Sequence, residues 1–188
     1  MAQVIHFEER AVARLRERLG VIQEANDDLI AFARGHSDAV ASINSAVLAA
    51  VEAPSIDALL QVVTEQWPTV LGIDAVAIAL LVGTRAFRAD TNGVERVESA
   101  FVKRMLTGVS TVEVRSVECG HPLFGSPASE RIRAEALIRI DSPVPYPCGL
   151  LALGQEAELA VHSRHCSELL LFLGRIVAAT FRRCLVTS

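Results

Sequence analysis

Three groups of residues in this chain have the types and spacing to do chemistry. The first is Cys119-Gly120-His121, which sets a thiol two residues from an imidazole. A thiolate beside a histidine base is the arrangement of a cysteine nucleophile, and of loop thiols that cycle between redox states. Cys119 and His121 are therefore the candidate catalytic pair, although no third group that would orient the imidazole is evident. The competing reading is that the four cysteines are inert thiols, most plainly Cys148 inside the apolar run 148–153. The second group is metal-like: Cys119-x-His121 together with His162-x-x-His165-Cys166. Zinc needs four such ligands converging on a tetrahedron, and these spacings match no established zinc pattern, so no metal is expected. The third is a set of guanidiniums. Arg131, Arg133 and Arg139 alternate along one predicted strand, and Arg115 lies on the strand before it. Several forked donors on one sheet face suit a phosphate or carboxylate, with His121 and Phe124 from the adjacent loop covering a flat ligand. The plainer reading pairs those arginines with Glu113 and Glu135 across the strands.

The elements that must position these residues follow from periodicity. From Val12 the apolar residues recur at alternating spacings of three and four: Val12, Leu15, Leu19, Ile22, Asn26, Leu29. Charged residues flank this seam, which is the pattern of a helix seeking a partner helix, and Asn26 at an inner position would fix register. Arg34-Gly35-His36-Ser37 interrupts the helix, and a second helix is expected over about 38–51. Ser55 caps a third helix running from Ile56 to about Trp67, with Pro68 and Gly72 at its exit. Residues 73–82 form an apolar run of strand length, suited to a strand covered on both faces, and residues 85–89 suit a short second strand. Apolar spacing predicts a helix over 94–106. Alternation predicts strands over 111–117 and 132–141, with a loop over 118–130 between them. A buried strand over 148–153 and a long final helix over 163–185 complete the chain. Helices gather at the ends, so the fold class is α+β: an antiparallel sheet of about five strands with helices on one side, preceded by a long N-terminal helical segment. Residues 1–52 are expected to be a helical dimerisation segment, and residues 53–188 the domain proper.

Composition narrows the functions. The chain has 188 residues, 51% of them hydrophobic, and a net charge of −4. That is enough apolar surface for a core, and the wrong charge for general nucleic-acid binding. No apolar run reaches the roughly 20 residues that cross a bilayer. The N-terminus carries Glu8, Glu9 and Arg10 where an export signal would be apolar. A cytoplasmic protein is expected. No phosphate-cradling glycine loop, nucleophile elbow, HExxH or GxGxxG is present, so no cofactor is expected either.

At family level, Val4-Ile5-His6-Phe7-Glu8-Glu9-Arg10 with Leu15-Arg16-Glu17-Arg18-Leu19 resembles domain of unknown function 484, a bacterial family. So do Leu29 to Arg34, Pro122-Leu123-Phe124-Gly125, Arg133 to Ile138 and Gly149-Leu150-Leu151-Ala152-Leu153-Gly154. The resemblance covers nearly the whole chain and contains no catalytic signature. Residues 155–161 depart from the polar turn that the family pattern has there. The family is similar to GAF domains, antiparallel-sheet modules that often hold a small molecule between sheet and loop and often dimerise through terminal helices. The resemblance implies a non-catalytic, GAF-like sensor or interaction module; with the heptad seam and the arginine set it leads to the expectation of a homodimer with a small anionic ligand and a separate protein partner. The alternatives are a thiol-dependent redox enzyme and a ligand-free scaffold. If the enzyme reading holds, Cys119 reacts with a thiol probe far faster than Cys148 or Cys184; equal, slow labelling removes it.

Overall fold

A computed structural model describes residues 37–143, 146–157 and 166–187, with Gly20 and Gln23. The chain forms two compact units, Met1–Ala41 and Ser42–Ser188. The described residues of the first unit are helical. The expected seam residues Val12, Leu15, Leu19, Ile22, Asn26 and Leu29 lie outside the described residues, as do His162 and His165.

The second unit opens with helix α1 (42–52), which turns Ile43, Ala46 and Ala50 into the core. Ser55 then caps α2 (Ile56–Gln61), its hydroxyl accepting from the Ala58 N–H. The helix does not stop at Trp67 as periodicity predicts. It passes through a π turn (Val62–Gln66) into α3 (Trp67–Leu71). Pro68 is the physical reason. A proline has no N–H to give to the carbonyl four residues back, and its ring crowds that carbonyl. Widening the turn, with the Trp67 N–H reaching Val62 O, lets the chain stay helical through it. Trp67 is fully buried, and its indole N–H donates to Ala46 O at 3.0 Å.

The sheet has six antiparallel strands in the order β3-β2-β1-β6-β5-β4. These are β1 (Ala75–Val82), β2 (Arg85–Asp90), β3 (Gly93–Val97), β4 (Val112–Ser116), β5 (Ala134–Ile140) and β6 (Cys148–Gln155). Residues 94–97 are thus a strand, where a helix over 94–106 was expected; helix α4 (Ser99–Gly108) begins only after it. Asp90-Thr91-Asn92-Gly93 closes a hairpin instead. The Asp90 carboxylate accepts the Asn92 N–H at 2.7 Å, and Gly93 takes φ +114, which other residues rarely adopt. Val97 imitates the first apolar position of the helix because it points inward from the strand end and packs with Phe101 and Val102.

The two faces of the sheet differ in residue size. One carries Val76, Ile78, Leu80, Ile138, Leu151 and Leu153 against α1, α2, α3 and the final helix α6 (Cys166–Thr187). The other carries Ala77, Ala79, Ala86 and Ala152 with Leu137 and Leu150. It is covered by α4, by a 3-10 turn (Pro122–Phe124) and by the short α5 (Ala128–Arg131). The antiparallel α+β architecture is as expected, with one strand more and with cover on the second face as well.

Replacing Trp67 by Phe keeps a ring but removes the donor to Ala46 O and some buried surface. The expected cost is about 2 kcal/mol in a urea unfolding curve followed by circular dichroism. A change within about 0.5 kcal/mol would show that the indole does not join α1 to α3.

Candidate functional site

The alanine face positions the candidate chemistry, because the segment 117–133 folds down onto it. Main-chain bonds tie that segment to itself, the Gly120 N–H to Ser129 O and the Phe124 N–H to His121 O. The Val117 N–H to Arg133 O bond closes the two ends of the segment together, and the Arg133 N–H to Gln155 O bond ties it to β6 of the sheet. Its own Leu123, Phe124 and Ile132 are buried against the sheet. Gly154 on β6 makes room: a Cβ there would sit 2.7 Å from Ile132 Cδ1 and 2.8 Å from Phe124 Cζ.

Two charged side chains on this face clasp the loop. Arg88 sits among the alanines on β2. Its Nε donates to Leu123 O at 2.6 Å, its Nη1 to Glu95 Oε1 at 2.6 Å and its Nη2 to Asp90. Glu135 on β5 is only 2% exposed. One carboxylate oxygen accepts Arg115 Nε at 2.8 Å and Nη2 at 2.7 Å. The other accepts the main-chain N–H of His121 at 2.6 Å. A carboxylate removed from water survives only when donors replace the lost water, and here both oxygens have them. The bond to Glu135 holds the Arg115 pKa above its ordinary value.

The candidate site residues are therefore distributed as follows. Arg115 and His121 meet at Glu135, and Phe124 packs into the core beside them. Arg115 also pairs with Glu113 at 3.0 Å. Arg131 is not on the strand; it lies in α5 and pairs with Glu156 at 2.8 Å. Arg133 precedes β5 and donates to the carbonyls of Glu118, Glu130 and Ile132. Arg139 is at the far end of β5, bonded to Asp141 and to Leu106 O. Each guanidinium has an acceptor within the chain, and the four do not converge. β5 is buried on both faces, with Glu135 among its buried residues. Cys119 is exposed and donates to Ser129 O at 3.4 Å, while Nδ1 of His121 accepts the Leu123 N–H at 3.2 Å. Thiol and imidazole each direct their hydrogen bond elsewhere. Among the described residues, no group of three or more His, Cys, Asp or Glu could hold a metal ion. A small polar cavity of about 90 Å³ lies at the strand ends beside Asp74, Asp90, Phe124 and Arg131.

Sequence reasoning missed Arg88. The signal is present in Ala86-Phe87-Arg88-Ala89-Asp90, where alternation puts Ala86, Arg88 and Asp90 on one face and so marks an inward-pointing ion pair.

Burial lowers the His121 pKa from 6.5, against the opposing pull of Glu135. The folded protein thus resists protonating this ring, and Nδ1 can accept from Leu123 only while neutral. His121 costs nothing above the unfolded pKa and destabilises the fold as pH drops below it. The urea midpoint of the wild type is expected to fall between about pH 7 and about pH 5 more steeply than that of His121→Asn, which keeps an acceptor without titrating. Parallel curves would remove His121 as the cause.

With the geometry in place, comparison with known proteins identifies the family and the fold. A family model described as "Protein of unknown function, DUF484" matches residues 1–186, and the chain belongs to that family. No curated protein matches it significantly. Among solved structures it is similar to the free methionine-R-sulfoxide reductase of Neisseria meningitidis in complex with its substrate, at TM-score 0.56 and 15% identity over 78% of this chain and 89% of that one. It is also similar to the nlh2 GAF domain of A. aeolicus in an inactive state, at TM-score 0.55 and 12% identity over 79% of this chain and 98% of that one. A third is the GAF domain of a phosphoenolpyruvate-protein phosphotransferase from Coxiella burnetii, at TM-score 0.54 and 13% identity over 80% and 96%. At these identities the likeness is one of fold, and the fold is GAF-like.

Proposed function

We propose that this DUF484 protein is a non-catalytic sensor or interaction module that works as a homodimer in the cytoplasm and acts on a separate protein partner. The observation that carries this reading is the outer side of α6. Phe172, Ala179 and Val186 recur there at every seventh residue, with Phe172 43% and Val186 74% exposed. Glu168, Arg175 and Arg182 recur at the same interval beside them and are exposed. Apolar residues at heptad spacing with charged flanks suit a helix that packs on a second copy of itself. Leu48 and Val51 on α1 are exposed apolar residues as well. The heptad series Val12 to Leu29 offers a further pairing surface by sequence.

The loop side supports a non-catalytic role. Cys119 and His121 direct their hydrogen bonds to Ser129 O and the Leu123 N–H, and among the described residues no acid bonds the imidazole. A small molecule between sheet and loop, as GAF modules often hold, has to lift residues 117–133 from Arg88 and Glu135. That would link ligand binding to a change of shape a partner could read. No helix among the described residues is long and apolar enough to cross a membrane.

Sedimentation velocity at micromolar concentration is expected to give a dimer. The double change Phe172→Glu and Val186→Glu is expected to give a monomer with an unchanged circular dichroism spectrum. A wild-type monomer overturns the homodimer. A variant that stays dimeric overturns the placement on α6.

A further inference from the structure

On the sheet face away from the 117–133 loop, an apolar cavity of about 290 Å³ opens where α2, the end of α6 and the β1–β2–β3 hairpins meet. Its inner wall is made by Leu60, Leu80 and Phe181, all buried. Its rim is Val82, Val94 and Leu185, three of the seven large hydrophobic side chains that stand exposed among the described residues. Exposed apolar residues gathered at the mouth of an apolar hollow are a feature of ligand-binding grooves. The volume lies at the small end of the range for ligand pockets. Among its described lining residues only Asp57 is charged. Its carboxylate has no hydrogen-bond or ion-pair partner among the described residues.

We propose that this cavity binds a small amphiphile with an unbranched hydrocarbon body and a cationic head, the body between β1 and α6 and the head against Asp57. The hydrocarbon body is matched to the wall, which offers no hydrogen bond to a polar ligand. The cationic head is matched to the one charge at the mouth, where neighbouring apolar surface strengthens the pairing by displacing water. An alkyl carboxylate would meet Asp57 with like charge. The site shares no residue with the loop face or with the heptad positions of α6, so it stands or falls apart from the dimer.

The test is a titration of the full-length protein with hexylamine, octylamine and decylamine below their micellar concentrations, followed by methyl chemical shifts and calorimetry. Saturable binding is expected to shift the Leu60, Leu80, Val82 and Leu185 methyls. Affinity should rise about fourfold per added methylene until the cavity is full. Asp57→Asn should reduce the amine to the affinity of the matching alcohol, and Val82→Trp should block binding with the fold intact by circular dichroism. Val94→Trp, on the exposed edge strand, replaces it if that variant does not fold. Absence of saturable binding, equal binding of octanoate, or undiminished binding to the Trp variant overturns the site.

Discussion

Four alanines on one face of the sheet govern how close everything else comes. Ala77, Ala79, Ala86 and Ala152 make a shallow floor, so the layer above it lies nearly on the backbone. That is why a single arginine, Arg88, reaches from β2 to the carbonyl of Leu123, and why Phe124 reaches Gly154. The opposite face carries larger branched residues and supports a thick layer of helices. Close packing favours such filling, since a void on either side would forfeit dispersion contacts. The loop is tied down by a buried carboxylate, Glu135, and a partly buried guanidinium, Arg88, as well as by apolar contact. Removing Arg88 would leave the Leu123 carbonyl and the buried Asp90 carboxylate short of a donor, and removing Glu135 would leave the His121 N–H without its acceptor, which costs more than the bond itself contributes.

Much of this arrangement was legible in the residues, and the exceptions have physical causes. β1 and β6 read as buried strands because runs of Val, Ile, Leu and Ala without charge suit nothing else at that length. Ser55 read as a cap and acts as one. The strand at Gly93–Val97 did not read as a strand, because it lies on the edge, is mostly exposed and so carries no inner-face pattern apart from Val97. Pro68 reads as a stop from propensity alone. Only the fold shows that a π turn absorbs it, with Trp67 anchored across to α1. The arginines are the clearest limit. Alternation found Arg115 and Arg139 on one face and named Glu113 and Glu135 as partners. It could not show that Arg131 leaves the strand, or that Arg133 spends its donors on three carbonyls.

The fold itself decides little about function. GAF-like sheets serve as enzymes and as modules within larger proteins, as the similar structures illustrate, so function has to be argued from surfaces and sites. Here the loop face is filled and hydrogen-bonded, whereas apolar exposure is concentrated on the helical side. The outer stripe of α6 suits a second copy, and the hollow beside Asp57 suits a small amphiphile. Both lie in the helical layer, away from the thiol and the imidazole that first suggest chemistry.

The most direct measurement is amide hydrogen exchange across residues 117–133, read residue by residue by NMR. If the loop is a pinned part of the core, the amides of Gly120, His121, Leu123 and Phe124 exchange about as slowly as those of β5 on which they rest. Exchange of these four within the dead time, with β5 still protected, would show an open lid over an accessible sheet face. It would contradict a loop held shut by Arg88 and Glu135.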